Sequence, residues 1–179
     1  YLFPNFLTFL ISTVIIGSRQ FALAVLAHDG AHHLLFKNAK INDFVSQWFC
    51  AYPVFQDNRV YRPYHLKHHR FTETENDPDI SLSAPFPITK KSFARKVIRD
   101  LSGITGYNRY SSVVKGILKT EASSTMTKIT KIWDKSRGFL ITNSVICLLI
   151  SYFSHWSLFF MLWWFPAFTY YSLIIRIRN

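Results

Sequence analysis

Six of the seven histidines in this 179-residue chain fall in two short clusters. The first is His28-Asp29-Gly30-Ala31-His32-His33. The second is His65-Leu66-Lys67-His68-His69. On a helix, residues three or four apart share a face. His28 and His32 are four apart, and His65 is three from His68 and four from His69. Each cluster can therefore aim at least two imidazoles at one point. Imidazole suits iron, zinc, copper and nickel. Two helices that each offer two or three imidazoles exceed what one tetrahedral zinc needs, and fit a two-metal site. A zinc protease would show His-Glu-x-x-His, but Asp29 follows His28 and the second cluster has no such glutamate. One pair of histidines four apart is commonly accidental. Two dense clusters beside apolar segments are not. His155, the seventh, stands alone at a turn and reads as an interfacial residue.

The elements that must position these clusters are helical. Residues 6–27 form one apolar stretch, about the ~20 residues a bilayer core requires. The same helix is expected to continue beyond the membrane through residues 28–36. Residues 41–55 are amphipathic and short, which predicts an interfacial or half-inserted helix ended by Pro53. Residues 56–137 form a charged cap. Within it a helix is expected over 59–71 with Pro63 in its first turn, an extended stretch over 81–89, and a helix over 90–101. That last helix puts Phe93, Val97, Ile98 and Leu101 on one face and Lys/Arg on the other. Gly103 and Gly106 are expected to end it. Residues 138–175 read as a transmembrane hairpin turning at Ser154-His155. The fold class is all-α: an integral membrane helical protein with a cytoplasmic helical cap carrying the histidines.

Charge supports this division. The net charge is +11, and hydrophobic residues make up 49% of the chain. Sixteen of the 21 Lys/Arg lie between Asp57 and Arg137, and the flanks are nearly uncharged. That distribution fits a membrane protein with its basic loop in the cytoplasm, and no nucleic-acid partner is expected. Cys50 and Cys147 lie in apolar surroundings and read as free thiols. Tyr1 sits inside an apolar run and Asn179 directly follows another, so both ends are expected to continue in a longer protein.

The two clusters resemble the histidine boxes of the membrane fatty acid desaturase family. His28-Asp29-Gly30-Ala31-His32, followed by Phe36, resembles its first box, His-Asp-x-x-His. His65-Leu66-Lys67-His68-His69, with Asp77-Pro78-Asp79 beyond, resembles its second, His-x-x-His-His. Gly17-x-Arg19-Gln20 and Asp100-Leu101-x-Gly103 resemble further pieces of bacterial members. The resemblance implies a single desaturase domain over 1–179, with two iron ions and O2 as co-substrate. By position it implies His28, His32, His65, His68 and His69 as ligands. His33 joins them as a candidate because some members use a spacing one residue longer. A third box is absent and is expected after Asn179.

Asp29, Asp77 and Asp79 are candidates to accept a ligand's ring N–H. The implied partners are a lipid or acyl-thioester substrate, the membrane, and an electron donor such as ferredoxin or cytochrome b5. Phe44, Trp48, Phe49 and Tyr52 are expected to line the acyl groove. Arg59, Arg62 and Lys67 read as a solvated helix face, or alternatively as a docking surface for an acidic donor. The rival readings are a lipid, alkane or carotenoid hydroxylase on the same scaffold, an inactive fragment, and a membrane metal transporter. A transporter needs ionisable groups within its spans, and the spans here hold mainly Arg19 and Asn143.

Overall fold

In the chain's first helix, apolar side chains face outward and small or polar ones face inward. A computed structural model describes residues 5–178, and every regular element among them is helical. Helix α1 covers Phe6–Ala31. It begins at a reciprocal cap: Thr8 N–H donates to Asn5 Oδ1 at 2.9 Å, and Asn5 N–H to Thr8 Oγ1 at 3.1 Å. Its 26 residues span about 39 Å, enough to cross a bilayer. Leu7, Leu10, Ile11 and Ile15 are exposed, whereas Thr13, Gly17, Gln20 and Ala27 are buried. Such an arrangement suits lipid outside and close helix contact inside.

The segment after α1 repeats that inversion. Helix α2 (Ala39–Val45) runs into a π-helical turn over Ser46–Ala51 and a 3₁₀ turn over Tyr52–Val54. Asn42, Ser46, Gln47 and Cys50 are buried, while Ile41, Phe44 and Phe49 are exposed. Pro53 lies inside the final turn, and the chain leaves the helix at Phe55, which is left-handed with φ 58°. Gly30 makes this packing possible, since a Cβ there would lie 2.1 Å from Ser46 Cβ.

Helix α3 covers Asn58–Phe71. Pro63 sits in its second turn, not its first. Residues 81–89 are not wholly extended, because a one-turn helix α4 occupies Ile80–Ser83. Helix α5 spans Lys90–Leu101 and stops before Gly103, whose φ is 84°. Gly106 ends nothing. It lies within α6 (Ile104–Leu118), where a Cβ would come 2.4 Å from the Phe168 carbonyl oxygen.

Helix α7 runs unbroken over Thr125–Phe153. No break separates cap from span at residue 138. The 29-residue α7 and α1 are the two described helices long and apolar enough to cross a bilayer. After a turn at Ser154–Trp156 the chain returns through a π-helical turn (Phe159–Trp164), α8 (Phe165–Phe168) and α9 (Tyr170–Arg178). The return arm changes helical type at Phe165, beside Pro166, which cannot donate a helical hydrogen bond, and breaks at Thr169 with φ −105° and ψ −89°. Side chains take up carbonyls along this interrupted arm. Gln20 Nε2 donates to Trp163 O at 2.7 Å, and Arg109 Nη2 to Ala167 O at 2.9 Å. At the far end of α9, Arg176 pairs with the fully buried Asp100 of α5. The hairpin therefore brings the chain back beside the cap.

Candidate metal centre

Helix α1 stops where its first histidine cluster begins to be useful. The backbone of Leu34 donates to Asp29 O at 3.0 Å and that of His33 to Gly30 O at 3.1 Å. These are the two bonds of a Schellman ending. His33 holds the left-handed position with φ 60°. The helix does not continue through Phe36 as its pattern suggests. The reversal turns His33 away from His28 and His32. Its Nδ1 lies 3.4 Å from Asp43 and 3.3 Å from Asn42 Nδ2.

Helix α3 carries the second cluster. Its start is capped twice: Asp57 Oδ1 accepts Arg59 N–H, and Gln47 Oε1 accepts Asn58 N–H, both at 2.9 Å. His65 and His69 face the end of α1. His65 Nε2 is 3.0 Å from His32 Nε2 and 3.0 Å from His69 Nε2. The rings of His28 and His65 have centroids 4.6 Å apart. One ligand atom from each of His28, His32, His65 and His69 lies within 4.8 Å of the others. Tyr61 stacks on His65 at 4.9 Å and holds that ring in place.

His68 stands at the edge of this group, its ring centroid 5.7 Å from that of His69. Its Nδ1 meets Asp77 Oδ1 at 2.8 Å, with Asp79 Oδ2 at 3.6 Å. That leaves Nε2 free to bind a metal. Asp77 is buried and also accepts Glu73 N–H and Asp79 N–H, at 2.9 and 2.8 Å. Asp29 lies 3.1 Å from His28 Nδ1, and Asp79 bonds the Tyr64 hydroxyl.

Electrostatics prepare the group for a cation. Burial, with four neighbouring imidazoles, pushes His65 down to about 4. Burial and its histidine neighbours also lower His32. Both rings are neutral at physiological pH, the form that binds metal. His68 is shifted the other way by its hydrogen bond to Asp77.

A cavity of about 450 Å³ opens on this cluster, lined in part by His28, His65, His68, Tyr61, Tyr64 and Tyr171. Gln56, Tyr61 and Tyr64 are shared with a second space of about 500 Å³ between α3 and α6. Its other walls include Val60, Val113, Ile117 and Phe139. The expected groove lining lies elsewhere. Phe44 and Trp48 border a separate cleft beside Asp43, Phe49 is exposed, and Tyr52 is buried against Phe139.

Three residues outside the histidine pattern hold the end of α1. Asn58 Nδ2 donates to Ala27 O at 2.9 Å and Asn42 Nδ2 to Gly30 O at 2.8 Å. Arg62 donates from Nε to Ala31 O at 2.9 Å and from Nη2 to Gly30 O at 3.0 Å. The sequence pattern puts Arg62 on a solvated face or a donor-docking surface, and the structure turns it onto the end of α1 instead. Its spacing carries a signal, three before His65 and seven before His69 on one helical stripe.

A dihydrorhizobitoxine desaturase of Bradyrhizobium elkanii is 39% identical over 72 residues, a stretch covering 39% of this chain and 20% of that protein. No solved structure matches the chain. The family described as fatty acid desaturase matches residues 4–179. This chain belongs to the fatty acid desaturase family.

Proposed function

We propose that the chain forms the histidine-bearing core of an O2-dependent desaturase that acts on an acyl chain at the membrane. The observation that carries this reading is the meeting of His28, His32, His65 and His69 beside a cavity. The donor set fits iron. It is all imidazole, two members are held neutral, and the adjoining His68 ring is oriented by a carboxylate. His65 Nε2 stands 3.0 Å from both His32 Nε2 and His69 Nε2.

His28, His32, His65, His68 and His69 would hold the metal, and His33 is left to Asp43. Two irons need more ligands than these five histidines supply, so further donors would complete the site. When bound, the irons supply with O2 the oxidising power to take hydrogen from an unactivated methylene, which no side chain does by acid–base chemistry. The balance is –CH2–CH2– plus O2, two electrons and two protons, giving –CH=CH– and two waters. A donor such as ferredoxin or cytochrome b5 provides the electrons.

The protein's own part is placement and exclusion of water. The space between α3 and α6 takes the apolar chain. Tyr61, Tyr64 and Gln56 form the wall it shares with the histidine cavity. The excess of Lys/Arg between 57 and 137 supports a cap on the cytoplasmic side.

The test is conversion of a labelled saturated acyl lipid by membranes holding the full-length protein. An unsaturated product is expected, and His65→Ala is expected to abolish it. Equal conversion by that variant rejects the site, and a hydroxylated product selects the hydroxylase reading instead.

A further inference from the structure

We propose that Arg62, locked by Asp43, is a positioning residue that fixes the end of α1 against α3, so that the two histidine clusters meet. This rests on the metal reading above and extends it to a residue outside the histidine pattern.

Helix α1 ends with carbonyls that its own turns do not fully satisfy: Gly30 O accepts His33 N–H at 3.1 Å and Asn42 Nδ2 at 2.8 Å and takes Arg62 as well, while Ala31 O also takes Arg62. The first histidine cluster sits on that last turn, so whatever holds these carbonyls sets where His28 and His32 point. Arg62 takes two of them in succession, with Nε on Ala31 O at 2.9 Å and Nη2 on Gly30 O at 3.0 Å. The other side of its guanidinium faces Asp43, with Nη2–Oδ1 at 2.5 Å and Nη1–Oδ2 at 3.4 Å. Four of its five N–H groups are thus engaged. A cation at a helix C-terminus also meets the negative end of the helix dipole.

The same stripe of α3 carries Arg62, His65 and His69. Arg62 binds the end of α1 one turn before His65 meets His32. A single rigid helix therefore fixes both contacts. Asp43 completes the frame from α2, where Asn42 takes Gly30 O and His33 lies against the same carboxylate. The arrangement requires arginine. A planar fork reaches two carbonyls and a carboxylate at once, whereas a lysine ammonium is one point of charge on a flexible stem. Arg59 provides the contrast. It pairs with Asp57 at 2.8 Å and Asp134 at 3.5 Å and touches neither cluster's carbonyls.

The experiment uses full-length protein in detergent with Co2+ as the spectroscopic probe. Arg62→Lys is expected to weaken Co2+ binding by about 10–100-fold. It should also shift the ligand-field bands at saturation, because His32 is displaced. Arg59→Lys is expected to change neither. Asp43→Asn, which keeps the shape and removes only the charge, is expected to move both readouts in the same direction. It carries the test if Arg62→Lys does not fold. A loss of thermal stability alone, with wild-type affinity and wild-type bands, overturns the proposal and leaves the metal reading standing. Wild-type protein that shows no Co2+ bands overturns the metal reading, and the clamp with it.

Discussion

His32 and His65 stand with their Nε2 atoms 3.0 Å apart, although 33 residues separate them in the chain. Both nitrogens cannot carry a proton at that distance. The contact needs either one donor tautomer or a shared cation. His65 is at the centre, in contact with His28, His32 and His69. His65→Ala is therefore expected to reduce bound iron in the full-length protein to background. His155→Ala, at the turn where its Nδ1 meets Ser157 Oγ at 2.9 Å, is expected to leave iron unchanged. Elemental analysis of purified protein measures both. Full iron content in His65→Ala rejects the cluster as the centre.

The depressed pKa of His65 makes the metal-free protein acid-sensitive in a defined window. Its folded value is about 4 against 6.5 for the free residue. Between those values the unfolded chain binds a proton that the folded chain refuses, so stability falls as pH drops from 6.5 to 4. The contribution is on the order of 3 kcal/mol. His32 acts in the same direction. His68 opposes it: its raised pKa gives stability that is full below 6.5 and fades as pH rises above it. Thermal unfolding in detergent is expected to show a falling midpoint between pH 6.5 and 4 that His65→Gln flattens. Identical pH profiles for the two proteins reject the assignment.

Helix patterning exposed much of this architecture in advance. The stripe of Phe93, Val97, Ile98 and Leu101 marks α5, and the structure has that helix over Lys90–Leu101. The spacing of His28 with His32, and of His65 with His69, marks four imidazoles that do converge. His33 was less legible. A left-handed helix end is normally signalled by glycine, and here a histidine occupies it, so its side chain leaves the row that its neighbours suggest. The supporting polar residues were hidden for another reason. Asn42, Ser46 and Gln47 share a face that reads as solvent-exposed in an ordinary amphipathic helix. In this fold that face is buried and the phenylalanines are outside. Pro63 marks a helix start by its type, yet Asp57 and Gln47 cap α3 further upstream and leave the proline inside it.

Asp77 is expected to tune the metal site through His68. It accepts from His68 Nδ1 at 2.8 Å and from two backbone N–H groups, and so ties the loop after α3 to the His68 ring. Asp77→Asn keeps the size and removes the charge that orients His68. Metal affinity is expected to fall about 10-fold or more, as for other carboxylates behind histidine ligands. Competition with a calibrated chelator measures it. The variant should also lose the upward shift of His68, visible by NMR as a lower titration midpoint for that ring. Wild-type affinity together with an unmoved His68 titration removes Asp77 from the site.

The Asp100–Arg176 pair sets how well α9 closes the histidine cavity. Asp100 is fully buried and accepts from Thr105 Oγ1 at 2.5 Å as well as from Arg176 Nη2 at 2.8 Å and Nε. Removing Arg176 alone strands a buried carboxylate, which costs about 3–5 kcal/mol. Replacing both partners with apolar residues leaves no stranded charge. Arg176→Met is therefore expected to lower the thermal midpoint more than the double variant Asp100→Leu/Arg176→Met. Tyr171 and Ile175, on the same helix, line the cavity beside His28 and His65. Loosening α9 therefore opens the cavity to water, and acyl conversion should fall in the single variant even where the histidines still bind metal. A double variant less stable than Arg176→Met would show that the pair does not hold α9 in place through its charges.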